Sequence, residues 1–235
     1  MSLPRVRAQN NNFLNLFSRF EAYLAENFRG ESTSQRLDKA LTHSRFRRRL
    51  EELNLTADDL HNLRQLRNIL AHNPTYLAVS AEALMDLNKL ILAFCDKALD
   101  LATPRAKIYA ASLQTRVWDI VQAMDRFDFS YVPIIEGKKF LGLFSKHILL
   151  KLVAAEKLNR TVKIEEIEDF IQLDDAEHGF VFLAASAPAE QAYHLFARYI
   201  DQGKHLGVIF LTRKGEVSGD ILGLITAWDL YKRHS

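Results

Sequence analysis

Residues 130–153 read SYVPIIEGKKFLGLFSKHILLKLV, and residues 205–234 read HLGVIFLTRKGEVSGDILGLITAWDLYKRH. Both stretches run strand, turn, strand, helix. The first turns at Gly137, and the second has a longer hairpin. Each follows an amphipathic helical run, TRVWDIVQAMDRF (115–127) and APAEQAYHLFARYI (187–200). Each of those follows a short strand-like run, AKIYAAS (106–112) and GFVFLAAS (179–186). The order strand–helix–strand–strand–helix therefore occurs twice, over about residues 105–155 and 178–235, and marks an internal repeat. A unit this small cannot bury both faces of its sheet, so the spacing predicts that the two copies pack on each other. Between them, KIEEIEDFIQLDDAEHG (163–179) is acidic and reads as a solvated connection.

Upstream the chain changes character. Of nine glycines, only Gly30 precedes residue 137. NNFLNLFSRFEAYLAENF sets Phe13, Leu16, Phe17, Phe20, Leu24 and Phe28 three and four apart, which draws one apolar stripe on a helix. STSQRLDKALTHSRFRRRLEEL begins on Ser32 or Thr33 as a cap. TADDLHNLRQLRNILAHN opens with Thr56 and Asp59 in a capping-box pattern and ends at Pro74. SAEALMDLNKLILAFCDKALDL, from Ser80, is apolar enough to be central. Four helices with short connections predict an up-and-down bundle over residues 1–103, with Pro104 as the joint to residues 104–235. The expected fold class is α+β and multidomain: an all-α bundle followed by a tandem β-α-β-β-α pair.

Composition narrows the function. The 235 residues are 48% hydrophobic and 26% charged, with a net charge of +2. A global field that draws nucleic acid is absent, so any such contact needs a local patch. The best patch is SRFRRRL (44–50): Arg45, Arg47, Arg48 and Arg49 crowd one helix, with Phe46 and Leu50 four apart on its buried side. Four arginines can neutralise backbone phosphates, or they form a solvated face balanced by Glu51 and Glu52. One cysteine, Cys95, allows no internal disulfide and fits a reducing cytoplasm. No apolar run is long enough to span a membrane, and the N-terminus lacks the apolar core of a signal peptide. No zinc ligand set, phosphate-cradling glycine loop or nucleophile elbow occurs, so classical NTPase, dinucleotide-dehydrogenase and serine-hydrolase chemistry lose their basis, and no metal or required cofactor is expected.

In the second copy, Thr226 and Asp229 stand three apart at the start of a helix. That spacing makes a capping box that needs no ligand. It equally offers a carboxylate for ribose hydroxyls and a threonine hydroxyl beside free helix N–H groups. VPIIEGKKFLGLFSKHIL (132–149) and ILGLITAWDLYK (221–232) resemble the CBS motif, a strand, a turn, then Gly–apolar–apolar–Thr/Ser–x–x–Asp entering a helix. The resemblance covers about residues 105–235. It implies a pseudo-twofold pair with two clefts that bind adenosine-containing ligands such as AMP, ATP or S-adenosylmethionine. The first copy departs from the motif: Gly142 and Ser145 match, but Ile148 stands in place of the aspartate. That cleft lacks its ribose anchor, though Lys146 and His147 can face phosphates or simply begin a solvated helix. Restoring the carboxylate with Ile148→Asp is expected to restore a second site if the first cleft is otherwise intact. The second copy lacks the proline that the first has at Pro133.

LRQLRNILAHNP (63–74) resembles the signature of HEPN domains, all-α bundles in which an Arg–polar–x–x–x–His pattern, here Arg67, Asn68 and His72, lies on a late helix. The resemblance covers about residues 10–100. It implies either a metal-independent endoribonuclease or a non-catalytic assembly domain. Histidine suits proton transfer with a ribose 2′-OH, and arginine suits the charge that grows on phosphate. Yet five residues advance a helix by about 500°, leaving Arg67 and His72 about 140° apart around the axis. A symmetric homodimer would combine two such helices into one site. The competing reading is a last-turn histidine that meets the helix dipole and an arginine and asparagine on a solvent face. Together the two resemblances imply a cytoplasmic, dimeric regulator. An adenosine nucleotide near Asp229 would change the angle between repeats and, through the helix before Pro104, act on the bundle's dimer interface, with RNA as a possible partner. The alternative is a non-enzymatic interaction module whose repeats hold no ligand.

Overall fold

The computed structural model describes residues 3–72, 77–150 and 178–231. The chain divides into two compact units, Met1–Asp96 and Lys97–Ser235.

Every element described in the first unit is a helix. α1 spans Leu3–Asn27, α2 Thr33–Thr42, α3 Ser44–Glu52, α4 Ala57–His72 and α5 Ala81–Leu90, the last continued by one π turn over Ile91–Cys95. α1 is the hub and packs on α2, α4 and α5. Its stripe of Phe13, Phe17, Phe20 and Leu24 is fully buried, together with Leu37, Leu60, Leu70, Leu87 and Leu90 from the other helices. Full burial of one such side chain is worth about 1.5–3 kcal/mol, so this stripe alone anchors the unit. Asn10, also buried, donates to the Leu77 carbonyl (2.7 Å) and accepts from the Val79 N–H (3.1 Å), which pins the approach to α5.

Two helices predicted as continuous are broken. The second breaks at His43, whose backbone is extended and caps both α2 and α3. The reason is rotational. Leu37 and Phe46 are nine residues apart, so an unbroken helix would set them about 180° apart. The break lets Leu37 and Ala40 of α2, and Phe46 and Leu50 of α3, enter the same core. The last predicted helix, from Ser80 to Leu101, breaks at Asp96 and Lys97, both extended. Asp96 is 4% exposed and pairs with Arg19 of α1, which ends the helix in an ionic anchor. No continuous helix runs up to Pro104.

The second unit starts with Lys97. Lys97 N–H bonds the Asp100 carboxylate (2.8 Å), and a short helix α6 spans Ala98–Leu101. Ala98 and Leu99 donate to the carbonyls of Ala187 and Ala185, so the chain expected to close the bundle is bonded into the repeat unit. β1 (Thr103–Pro104) then pairs antiparallel with β6 (Gly223–Ile225). β6 pairs antiparallel with β5 (His205–Thr212), and β5 parallel with β4 (His178–Ala184), giving the order β1-β6-β5-β4. At Gly223 a Cβ would stand 2.9 Å from the Thr103 carbonyl oxygen, so only glycine lets β1 approach. A 12-residue helix, Glu190–Asp201, joins β4 to β5, and a short one, Ala227–Tyr231, follows β6.

The first copy is slighter. Its opening strand shrinks to one bridge, in which Ala111 exchanges hydrogen bonds with Pro133 and Ile135 (3.0 and 2.8 Å). A helix over Val117–Phe127 leads to β2 (Tyr131–Glu136) and β3 (Lys139–Ser145), an antiparallel pair with a bulge at Ile134/Ile135. The two copies share a core. Phe140 of β3 packs on Phe180, Phe182 and Phe210 of the second copy, with ring centroids 5.0, 5.4 and 4.9 Å away. The acidic stretch predicted as a solvated connection falls almost wholly outside the described residues.

Candidate functional site

A cleft of about 530 Å³ opens in the second unit. Three segments build its wall. Thr103 comes from β1, and Lys107, Ile108 and Tyr109 from the chain between β1 and the first bridge. Phe127, Asp128, Phe129, Ser130 and Tyr131 carry the first copy's helix into β2. Val208, Leu224, Thr226, Trp228 and Asp229 come from the second copy.

The second segment turns sharply because Asp128 caps its helix in the left-handed region (φ +53°), where aspartate is tolerated better than most residues. The turn throws Phe129 and Tyr131 inwards. Phe129 lies against Tyr109 (6.4 Å, 25° between planes) and Phe127 (5.6 Å), making an aromatic wall. Tyr131 rests over Gly207, where a Cβ would stand 2.5 Å from its ring, so β5 needs glycine there. Burial pushes the Tyr131 hydroxyl above its ordinary pKa and keeps it protonated.

Asp229 faces this wall from the second copy. Its Oδ2 accepts the Thr226 N–H (2.8 Å) and the Thr226 hydroxyl (2.7 Å). A carboxylate offers about four acceptor sites, so the box leaves it able to take further donors. The same bonds, at the same lengths, join Thr56 and Asp59 at the start of α4. The local geometry of Thr-x-x-Asp is therefore that of a helix cap, and what differs at Thr226 is the cleft beside it. Lys107 adds a cation, and Trp228, 71% exposed, stands at the mouth.

The corresponding residues of the first copy are placed differently. Ser145 is buried, and its Oγ accepts the Ile148 N–H (3.3 Å). Ile148 is 3% exposed and packs with Met124, Val132, Ile134 and Phe144. The position expected to regain a ribose anchor is thus core among the described residues. Lys146 does not line the cleft. It pairs with Asp128 at the rim (3.2 Å). Of the four ligand candidates, Thr226 and Asp229 share the cleft, while Ser145 and Lys146 do not line it. Sequence reasoning missed Lys107, Tyr109, Phe127 and Phe129. The available signal was FDFS (127–130), aromatics straddling a helix end.

In the first unit, Arg67 donates to the Glu21 carboxylate (3.1 Å) and to the Asn68 side-chain oxygen (3.1 Å). Glu21 also accepts the Thr33 hydroxyl (3.0 Å), so one carboxylate clasps α1, α2 and α4 together. Asn68 and His72 are exposed. Arg45, Arg47 and Arg48 are exposed on α3, Arg49 is bonded to Glu52 (2.7 Å), and Phe46 and Leu50 are buried. Among the described residues no cluster of three or more metal-ligating side chains occurs, and no helix is long and apolar enough to cross a membrane.

No family model matches the chain, and no curated protein does. Solved structures similar to it include CBSX2 in complex with AMP, 17% identical over 59% of this chain and 95% of that one, with a TM-score of 0.45. The CBS domain pair of protein MJ0100, in complex with 5′-methylthioadenosine and S-adenosyl-L-methionine, is 11% identical over 59% and 95%, with a TM-score of 0.44. The CBS domain of the bacterial CNNM/CorC family Mg2+ transporter is 19% identical over 72% and 93%, with a TM-score of 0.48.

Proposed function

We propose that residues 97–235 form a regulatory pair of CBS-type repeats with a single ligand cleft, specific for an adenosine-containing nucleotide. The observation that carries this reading is the meeting of three unlike groups around one 530 Å³ space: the Asp229 carboxylate, the Tyr109–Phe129 wall and the Lys107 ammonium. Each suits one part of the ligand. A carboxylate accepts both hydroxyls of a ribose, a flat aromatic wall receives a purine face, and a lysine meets phosphate. AMP and ATP use all three groups, and S-adenosylmethionine uses the first two. Only one site is proposed, because Ile148 fills the equivalent position of the first copy with core.

The test is a melting experiment with AMP, ATP and S-adenosylmethionine on wild type, Asp229→Ala and Asp59→Ala. At 100 times Kd a ligand raises stability by about 2.7 kcal/mol. The rise is expected in wild type and Asp59→Ala and lost in Asp229→Ala. An equal rise in all three removes Asp229 from ligand binding, and no rise with any of the three ligands removes the nucleotide reading. For Arg67, Asn68 and His72, the Arg67–Glu21 clasp favours a structural role. Cleavage of RNA in EDTA by wild type, abolished in His72→Ala, would instead establish the ribonuclease.

A further inference from the structure

A second pocket, of about 420 Å³, lies within the first unit and owes nothing to the cleft. Its floor is aromatic. Tyr23 and Phe28 come from α1 and the residue after it, Phe46 from α3, and Phe94 from the π turn. The rings support one another, with Phe46 stacked on Phe94 at 4.7 Å and Tyr23 against Phe94 at 5.5 Å. Tyr23, Phe28 and Phe94 are half-buried, so they still present surface to the pocket. Burial holds the Tyr23 hydroxyl protonated, as a donor. The rim carries His43, Arg45, Arg48, Arg49 and Glu52. Arg49 and Glu52 offset each other through their 2.7 Å bond. Arg45 and Arg48 have no ion pair among the described residues and lie one helical turn apart.

The helix break at His43 creates this arrangement. It buries Phe46 and Leu50 and leaves Arg45 and Arg48 exposed, lining the same pocket as the rings. Four rings and two cations without ion pairs lining one pocket form neither an ordinary solvated face nor an ordinary core. Aromatic side chains stack bases of any sequence, and arginine forks bind phosphate oxygens. Two cations a turn apart fit two successive backbone phosphates better than a single phosphoryl group.

We propose that this pocket binds single-stranded nucleic acid, taking one base among Tyr23, Phe28 and Phe94, stacked on one ring and met edge-on by the others, while Arg45 and Arg48 hold adjacent phosphates. Arg47 lies off the pocket and contributes only general charge.

The experiment uses the full chain and a fluorescent oligouridylate of about six nucleotides, near the lower end of known single-strand site sizes. Uridine carries no adenine for the cleft. Binding is measured across a salt series in wild type, Arg45→Gln/Arg48→Gln, Phe94→Leu and Asp229→Ala. Wild type and Asp229→Ala are expected to bind alike. The double variant is expected to bind roughly tenfold or more weakly, with its logarithmic salt slope shallower by about 1.4, the loss of two single-strand phosphate contacts. Phe94→Leu, checked for an unchanged melting temperature, is expected to bind weakly with the wild-type slope; if it melts lower, ultraviolet crosslinking of the oligonucleotide to Tyr23 or Phe94 in wild type replaces it. Oligothymidylate and uridine monophosphate arms separate RNA from DNA and a strand from a free nucleotide. No binding by wild type at low salt, equal binding by the double variant, or tighter binding of a phosphotyrosine peptide than of any oligonucleotide overturns the proposal.

Discussion

The two copies of the repeat start their last helices alike and end in different chemistry. In both, a hydroxyl residue stands at the end of the final strand: Ser145 Oγ accepts the Ile148 N–H, and the Thr226 hydroxyl donates to the Asp229 carboxylate. At the third residue beyond it the second copy has Asp229, half-buried at a cleft, and the first has Ile148, 3% exposed among Met124, Val132 and Phe144. One position thus carries a carboxylate beside a cleft in one copy and added core in the other. The comparison teaches that a repeated backbone does not imply repeated side-chain surroundings, because segments far along the chain decide whether one position is half-buried beside a cleft or part of a core.

The largest expected effect breaks the comparison at Ile148. Ile148→Asp removes a buried side chain and leaves a carboxylate in apolar surroundings, at a cost of about 5 kcal/mol or more. Urea unfolding of the variant should show that loss. A variant that keeps its stability and binds a second equivalent of nucleotide would mean that the first copy is a silent site rather than core.

Phe140→Ala tests whether the copies share one core. Removing a ring that touches Phe180, Phe182 and Phe210 should cost about 3 kcal/mol or more. The melting of residues 97–235 should shift as one transition. Separate transitions for the two copies would show that the shared cluster is marginal.

Asp229→Ala and Asp59→Ala sharpen the contrast between cap and site. Each removes an identical capping bond and should cost about 1 kcal/mol in the absence of ligand. Only the first should also lose the nucleotide-dependent rise. Calorimetric stoichiometry near one in wild type and zero in Asp229→Ala would fit one cleft.

The smallest effect is a pH dependence at Asp59. Hydrogen bonds from Thr56 hold its carboxyl below its ordinary value of 3.8. A depressed carboxyl stabilises the fold above the unfolded pKa and loses that contribution as pH falls through the folded pKa. Acid melting curves of wild type and Asp59→Asn should therefore converge below about pH 4 and separate above it. Curves that stay parallel would show that the box contributes nothing through charge. Cys95 gives an independent check on the first unit, since burial pushes its thiol up to about 12. Alkylation at pH 8 should be slow in the native protein and fast once it is unfolded.

Much of the architecture was legible in residue order. Phe13, Phe17, Phe20 and Leu24 announced the face of α1 through their spacing alone. Thr56 with Asp59, and Ser80, marked helix starts that are capped as expected. The paired Phe46 and Leu50 foretold the buried side of α3. The cleft was half legible. Thr226 and Asp229 sit in one motif, whereas Tyr109 and Phe129 reach the same space from 97 or more residues away and carry no local mark of it.

Sequence alone determined what depends on neighbours three or four residues apart: helix faces, caps, turns and the doubled strand–helix–strand–strand–helix order, because backbone geometry fixes which of those side chains meet. Tertiary structure decided the rest. The break at His43 exists because Phe46 must turn towards Leu37's core, and the break at Asp96 because that residue is buried against Arg19. β1 joins the second copy's sheet because Gly223 leaves room for Thr103. Ile148 became core, and Arg45 and Arg48 came to line one pocket with Tyr23, Phe28 and Phe94, only when distant segments packed. A side chain's solvent and partners are set by residues far along the chain, and no period or spacing in the sequence records them.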